Sequence, residues 1–262
     1  MTAGTVSLAF FLVMAVLAIV DPTQILGVER WIKPAKFFIS IAIFMLTMGV
    51  YLHYLPESKQ FSRRVSLAMV FIFIIEMVII CGQAARGTTS HFNVEKPLDQ
   101  ALYTVMGLAI VVNTILAAAV TLRYFKREID LAPTLVWGLR LGLIVFLVGS
   151  VMGGYMSAQT GHGVGVPDGG PGLPFVNWST IAGDLRVGHF LGLHGLQAIP
   201  ITAYFINLSR LPVGTFLTLG FAAVYLAVVV AAFVQALLGR PLIGVSKLLV
   251  SHDFSALPHP SR

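Results

Sequence analysis

Four of the seven histidines are candidates for chemistry because they stand among other polar residues. His91 lies in the segment ARGTTSHFN, and His162 lies in a glycine-rich stretch. His189 and His194 lie in the segment RVGHFLGLHGLQ. Imidazole is the commonest metal ligand in proteins and an axial ligand of haem. These histidines therefore predict a metal or haem site. The alternative for each is a hydrogen bond to backbone or to lipid headgroups.

The spacing of His189 and His194 limits what they can bind together. Residues five apart on a helix point about 140° away from each other. The two histidines of an HExxH motif lie four apart on one face, so this pair cannot bind one ion in that manner. Each is expected to face a different neighbour, and Gln197 lies one turn beyond His194 on the same side.

Arg86 and Arg186 are candidates for holding an anion near these histidines. Paired N–H donors let a guanidinium clamp a carboxylate or a phosphate, such as a carboxylate of haem or a small ligand. The alternative is that both arginines anchor helix ends at a membrane interface, the role also expected of Lys33 and Lys36. Asp184, in the segment GDLR, is the predicted N-cap of the helix that follows.

Further polar residues are embedded in apolar segments. Glu76 lies near the middle of the segment 65–84, where a carboxylate costs at least a few kcal/mol. Asn113 is expected at a similar depth. The two residues predict either a proton relay or an inter-helix clamp that includes Arg140. The complete predicted proton path or polar cluster comprises Glu76, Gln83, Asn113, Asp184 and Gln197.

The elements that must position these residues are long apolar helices. Of 262 residues, 57% are hydrophobic and 11% are charged, and the mean hydropathy is +0.87. Soluble domains carry about 25% charged residues, so a soluble enzyme and a disordered chain are disfavoured. A membrane span needs about 20 apolar residues. Seven segments qualify: 4–21, 36–55, 65–84, 100–122, 133–155, 186–208 and 213–238.

We therefore predict an all-α integral membrane protein, a bundle of seven transmembrane helices. A long glycine- and proline-rich loop joins the fifth and sixth helices. Residues 1–240 are predicted to form one domain and residues 241–262 a short interfacial tail. The N-terminal run is interpreted as a retained span because no basic residue precedes it. The sixth span is the weakest because it contains two histidines and a glutamine.

Seven spans would place the connections 22–35, 85–99 and 156–185 on the side opposite the N-terminus. We call that side face B and the N-terminal side face A. The four candidate histidines lie on or near face B. The short face-A loops carry basic clusters, whereas the stretch 156–185 contains no lysine or arginine. The positive-inside rule favours face A as cytoplasmic and face B as extracytoplasmic. It also explains the net charge of +6 without a nucleic-acid partner.

Three segments resemble a family of multi-pass bacterial membrane proteins of uncharacterised activity. They are RGTTSHFN, GDLRVGHFLGLHGLQ and the KPAKF that begins the second span. The resemblance implies a bacterial cytoplasmic (inner) membrane and no particular activity. Rhodopsins and the seven-helix zinc hydrolases are disfavoured because the last span contains neither a lysine for retinal nor a histidine for zinc.

Two functions of different class follow from these residues. The first is a redox protein that binds haem or a transition metal through the histidines. The second is a cofactor-free, proton-coupled transporter or small-molecule-binding protein with a polar or anionic ligand at face B. The lipid bilayer is the expected partner, and a homo-oligomer is compatible with the sequence. The sequence does not define a substrate.

Overall fold

The computed structural model describes residues 2–244, which are predominantly helical. The predicted tail falls outside the described residues from position 245 onward. The helices, in chain order, are α1 Thr2–Val20, α2 Ile32–Tyr54, α3 Lys59–Ala85, α4 Pro97–Lys126, α5 Pro133–Ala158, α6 Arg186–Leu208 and α7 Gly214–Leu237. The prediction of an all-α architecture is therefore confirmed.

Six of these helices, all except α6, are long and apolar enough to cross a membrane. Their outward faces carry large apolar side chains, such as Phe71 and Phe216, which are 64% and 76% exposed. Such surfaces suit lipid, and the architecture is that of a helical membrane protein. The histidines and the glutamine of α6 lower its hydropathy relative to the other helices.

The only strands among the described residues lie in two short antiparallel hairpins. β1 Gln24–Ile25 pairs with β2 Val28–Glu29 in the connection between α1 and α2. β3 Gly163–Val164 pairs with β4 Gly183–Asp184 in the connection between α5 and α6. The second hairpin brings the two ends of that long connection together, at the point where α5 ends and α6 begins.

The backbones of α5 and α6 approach each other closely at two glycines. A Cβ atom placed on Gly149 would lie 2.6 Å from the carbonyl carbon of Gly192. A Cβ atom on Gly192 would lie 2.5 Å from the Cα atom of Gly149. Small residues at a helix interface let two backbones pack at short range in a membrane. Any side chain at either position would have to push the two helices apart.

A proline inside α6 links this helix to α2. Pro200 has no N–H, so the carbonyl of Leu196 loses its usual helical donor. The hydroxyl of Tyr51 in α2 donates to that carbonyl at 3.1 Å. The hydroxyl of Tyr124 in α4 donates to the carbonyl of Tyr51 at 2.7 Å. Two buried tyrosines therefore connect α4, α2 and α6.

The close approach of α5 and α6 predicts unequal effects of alanine at two glycines of α5. Gly149→Ala should lower the free energy of unfolding by about 1–3 kcal/mol because its methyl group overlaps the α6 backbone. Gly154→Ala is the matched control, since a Cβ atom there meets nothing within 4 Å. Thermal unfolding of the detergent-solubilised protein measures both. Equal stability of the two variants would contradict the packing described here.

Candidate functional site

The connections that join the helices at face B lie against one another. Arg30 of the first connection donates to the carbonyl of Ala85, at the end of α3, at 3.3 Å. The ring of Phe92 in the second connection lies 6.3 Å from the ring of His162 in the third. The structure therefore brings His91 and His162, which are far apart in the sequence, to the same end of the bundle.

His189 is oriented by the glycines of α5. Its Nδ1 atom lies 2.7 Å from the carbonyl oxygen of Gly149. A carbonyl can only accept, so Nδ1 carries the hydrogen, and in the neutral ring Nε2 keeps a free lone pair. The ring also fills the space beside Gly153, where a Cβ atom would lie 2.7 Å from the imidazole Cε1 atom. The glycines thus fix both the position and the tautomer of this imidazole.

His91 lies in the connection between α3 and α4, against aromatic rings. Its Nδ1 atom lies 3.1 Å from the hydroxyl of Ser90, and its ring lies 5.3 Å from the ring of Phe37. Burial holds the pKa of His91 well below its usual range, and the charges of Lys33 and His189 act in the same direction. His91 is therefore neutral at pH 7 and lies near both of those residues.

His162 lies between two carboxylates. Its Nδ1 atom is 3.4 Å from Asp168 and 3.7 Å from Asp184, but this atom makes no hydrogen bond within residues 2–244. Burial lowers the pKa of His162, with the charges of Arg186 and Lys33 acting in the same direction and the two carboxylates opposing. Two carboxylates therefore flank this imidazole, and the charges of Arg186 and Lys33 also act on it.

The same two carboxylates order the long connection between α5 and α6. Asp168 accepts the backbone N–H groups of His162 and Gly163 at 3.0 and 2.8 Å. Asp184 accepts the backbone N–H of Arg186 at 3.1 Å. The predicted N-cap is nevertheless wrong by one residue, because the cap position belongs to Leu185. Asp184 instead lies in β4, where it still binds an otherwise unpaired donor of the first turn of α6.

Both arginines predicted to clamp an anion are already paired with carboxylates. Arg86 lies 2.7 Å from Asp99 of α4 and also donates to Gln83, which in turn donates to Asp99. Arg186 binds Asp184 through two nitrogens, at 2.9 and 2.6 Å. The first group joins α3 to α4, and the second holds the long connection on α6. Asp99 had no role in the sequence-based prediction because its partners belong to another helix.

His194 faces away from His189, as their spacing predicts. Its Nδ1 atom lies 3.3 Å from the side-chain oxygen of Gln197, and Gln197 donates to Thr47 of α2 at 3.0 Å. The ring of Phe190 lies 4.3 Å from the imidazole. The structure therefore separates His194 and Gln197 from the other predicted site residues and places them between α6 and α2.

The buried pair Glu76 and Asn113 does not form the predicted clamp with Arg140. Each of the two has a buried oxygen atom with no hydrogen-bond partner among the described residues. Arg140 instead donates to the carbonyl of Tyr124 near face A, at 2.8 Å. The charge that does act on Glu76 is that of Lys33, at the beginning of α2.

Lys33 is the site residue that the sequence reasoning missed. Its side chain is half-buried, and its charge interacts with those of Arg186, Asp168 and Glu76. It makes no hydrogen bond or ion pair with any residue in the range 2–244. Lys36, three residues later, donates to a carbonyl of the long connection at 3.2 Å. A lysine just before a predicted span, followed three residues later by a second on the same helical face, was the available signal.

Comparison with known proteins does not assign a ligand or a reaction to the site. No family model, curated protein or solved structure matches the chain. The resemblance to a bacterial membrane family carried by RGTTSHFN and GDLRVGHFLGLHGLQ stays a prediction. What the site can bind must be inferred from a neutral His91, the oriented imidazole of His189, and the charges of Lys33 and Glu76.

Proposed function

We propose that this chain is a membrane protein that binds a small anionic ligand near face B and couples its binding to proton uptake. The observation that carries the proposal is Lys33, a half-buried cation with no ion-pair partner among the described residues. Burying an unpaired charge is costly. A site that keeps such a charge gains stability when an anion compensates it.

The surrounding charges favour Lys33 as the residue that meets the anion. Arg186 is neutralised by its two bonds to Asp184. Lys36 donates to the carbonyl of Phe175. His91, close to Lys33, offers a neutral ring that can donate or accept a hydrogen bond to the bound group. An anion placed between Lys33 and His91 would therefore find one ammonium group and one polar partner.

Glu76 supplies the coupling to protons. In the ligand-free protein, the charge of Lys33 acts on the Glu76 carboxylate, which has no hydrogen-bond partner on its buried oxygen. An anion that neutralises Lys33 removes this compensation. A carboxylate at mid-membrane depth without a compensating charge is costly, so Glu76 takes up a proton with the anion at any pH at which it is ionised in the ligand-free protein.

The proposed topology has seven spans in a bacterial cytoplasmic membrane. α6 completes the bundle as the seventh span because its length of 23 residues and its close packing on α5 match those of a spanning helix. Face B, which carries the site, is extracytoplasmic in this proposal. The basic loops of face A, which contain Arg63, Arg64 and Lys126, then lie in the cytoplasm.

Replacement of Lys33 tests the anion site. Acetate should raise the thermal unfolding temperature of the detergent-solubilised protein because it binds only the folded state. Lys33→Gln should weaken acetate binding about 10- to 100-fold, the range for hydrogen bonds to charged groups. Lys59→Gln, at an exposed lysine of face A, is the matched control and should bind acetate normally. Unchanged binding by Lys33→Gln would refute the proposal.

Replacement of Glu76 tests the proton coupling. Acetate added to the weakly buffered protein at mildly alkaline pH, where more of Glu76 is ionised, should cause uptake of up to about one proton per ligand, followed with a pH-sensitive dye. Glu76→Gln should bind acetate without this uptake. Glu95→Gln, an exposed carboxylate of the connection between α3 and α4, should keep it. Proton uptake that persists in Glu76→Gln would show that another group titrates.

A second candidate function is ligation of haem or a transition metal by His91 and His189. Its supporting observation is the bond between Nδ1 of His189 and the Gly149 carbonyl, since metal-binding imidazoles commonly donate their other N–H to such a group. The arginines expected to hold haem carboxylates fit less well, because both are paired with aspartates. Among residues 2–244, no group of three or more His, Cys, Asp or Glu side chains could hold a metal ion.

The visible spectrum and metal content of the purified protein test this second function. A Soret band or stoichiometric metal that His189→Ala abolishes would support it. His194→Ala is the matched control and should retain the signal, because His194 faces α2. A colourless, metal-free protein that is fully folded would leave the anion site as the remaining proposal.

A further inference from the structure

The long connection between α5 and α6 contains a short turn-back, residues 172–179, which we call the aromatic hairpin. An antiparallel bridge joins its two ends, and the N–H of Leu173 donates to the carbonyl of Trp178 at 2.8 Å. Phe175, near its tip, is 70% exposed. No residue from 171 to 181 carries a charge. The hairpin therefore presents a large aromatic side chain on an uncharged segment.

The carbonyl groups at the tip of the aromatic hairpin are bound by cations of the helices. Lys36 of α2 donates to the carbonyl of Phe175 at 3.2 Å, and Arg186 of α6 donates to the carbonyl of Asn177. Phe175 and Asn177 have positive φ angles of 66° and 57°. Such conformations are uncommon in residues other than glycine and persist where the surrounding structure holds them. The helices thus take up two backbone acceptors of the tip, while the side chain of Phe175 stays exposed.

The contact with Lys36 sets the level of the aromatic hairpin relative to the membrane. Lys36 is the first residue of the predicted span 36–55 and lies one turn after the beginning of α2. The tip of the hairpin therefore lies beside the face-B end of a helix that is long and apolar enough to cross a membrane. At such a helix end the hydrocarbon core meets the headgroups, which is where aromatic side chains are enriched in membrane proteins.

Trp178 joins the aromatic hairpin to the apolar outer face of α6. Its ring lies 5.6 Å from the ring of Phe190, edge to face. Phe190 is 41% exposed, and Ile201 and Leu208 are 54% and 56% exposed. These three residues of α6 lie within about 20° of one another around the helix axis. The exposed apolar face of α6 therefore continues through Phe190 and Trp178 into the hairpin.

We infer that the aromatic hairpin inserts its tip into the lipid bilayer at face B. The side chain of Phe175 enters the outermost part of the hydrocarbon, and the ring of Trp178 lies at the level of the headgroups. Lipid is favoured as the occupant because the outer face of α6 and the hairpin form one apolar surface. It is also favoured because Lys36 and Arg186 satisfy tip carbonyls, as irregular backbone near hydrocarbon requires. The inference does not depend on the proposed anion site.

A fluorescent label at the tip tests the insertion in the full chain. The single cysteine is replaced by Cys81→Ala, and a nitrobenzoxadiazole label is attached to Phe175→Cys. The protein is reconstituted into vesicles of phosphatidylcholine and phosphatidylglycerol. Phosphatidylcholine that is brominated near the headgroup end of its acyl chains should quench this label strongly. Iodide, which stays in water, should quench it weakly.

Val94→Cys with the same label is the matched control. Val94 is a 48% exposed apolar residue of the connection between α3 and α4, also at face B, and a charged residue, Glu95, follows it. Because both positions lie at the same end of the bundle, the orientation of the protein in the vesicles affects them equally. The label at position 94 should be quenched severalfold more by iodide, and severalfold less by the brominated lipid, than the label at position 175.

The fluorescence of Trp178 gives a second measurement without a label. Trp31→Phe and Trp137→Phe together leave Trp178 as the only tryptophan. Lipid brominated near the headgroup should quench its emission more than lipid brominated near the methyl ends of the chains. Phe175→Ser removes the apolar tip residue and should reduce this quenching and shift the emission to longer wavelength. Val94→Ser should leave both unchanged.

The outcomes distinguish lipid from other occupants of the hairpin. Equal quenching by iodide at positions 175 and 94 would overturn the inference and place the hairpin in water. Protection of position 175 from iodide without quenching by brominated lipid would also overturn it. If that protection disappears when the protein is diluted with lipid, a second copy of the chain covers the hairpin. The measurement on Trp178 decides between insertion and exposure to water even if the Cys81→Ala chain does not fold.

Discussion

The contact between the backbones of Gly149 and Gly192 is the constraint on which the candidate site depends. Because α5 and α6 touch there without side chains, the carbonyl of Gly149 comes within reach of His189, one turn earlier on α6. The same carbonyl then selects the tautomer of the imidazole. A larger residue at Gly149 would separate the helices and release His189 from its acceptor. One pair of glycines therefore sets both the packing of α5 on α6 and the tautomer of His189.

The charged residues of the site differ in whether they have an ionic partner. Arg86 and Arg186, the cations that the sequence singled out, are each committed to an aspartate that holds a connection in place. These two pairs hold the connections at the face-B end in place. Lys33 and Glu76 have no such partner among the described residues, and their charges act on each other across the interior. The proposed properties of the site therefore depend on two residues that have no hydrogen-bonded or ionic partner within residues 2–244.

Much of the fold and only part of the site could be predicted from the sequence. Hydropathy defines the helices because lipid leaves the backbone no other partner, and helical spacing separates His189 from His194. The aspartate that pairs with Arg86 could not be predicted, because the pairing depends on how α3 and α4 pack. Lys33 was interpreted as an interface anchor because inward and outward lysines at a helix start look alike in sequence. Successive residues of a helix point about 100° apart. Whether Lys33 points into the bundle or outward therefore depends on how α2 is rotated about its own axis.

The composition of α6 has a consequence for the biosynthesis of the protein. In the proposed seven-span arrangement, this helix would carry two histidines and a glutamine into lipid if it entered the bilayer without a partner helix. Its polar groups find partners on α2 and α5, through Thr47 and Gly149. α5 is thus expected to remain beside the translocon until α6 has been synthesised, so that the two enter the bilayer as a hairpin. The twenty-seven residues of the connection 159–185 are long enough to permit that delay.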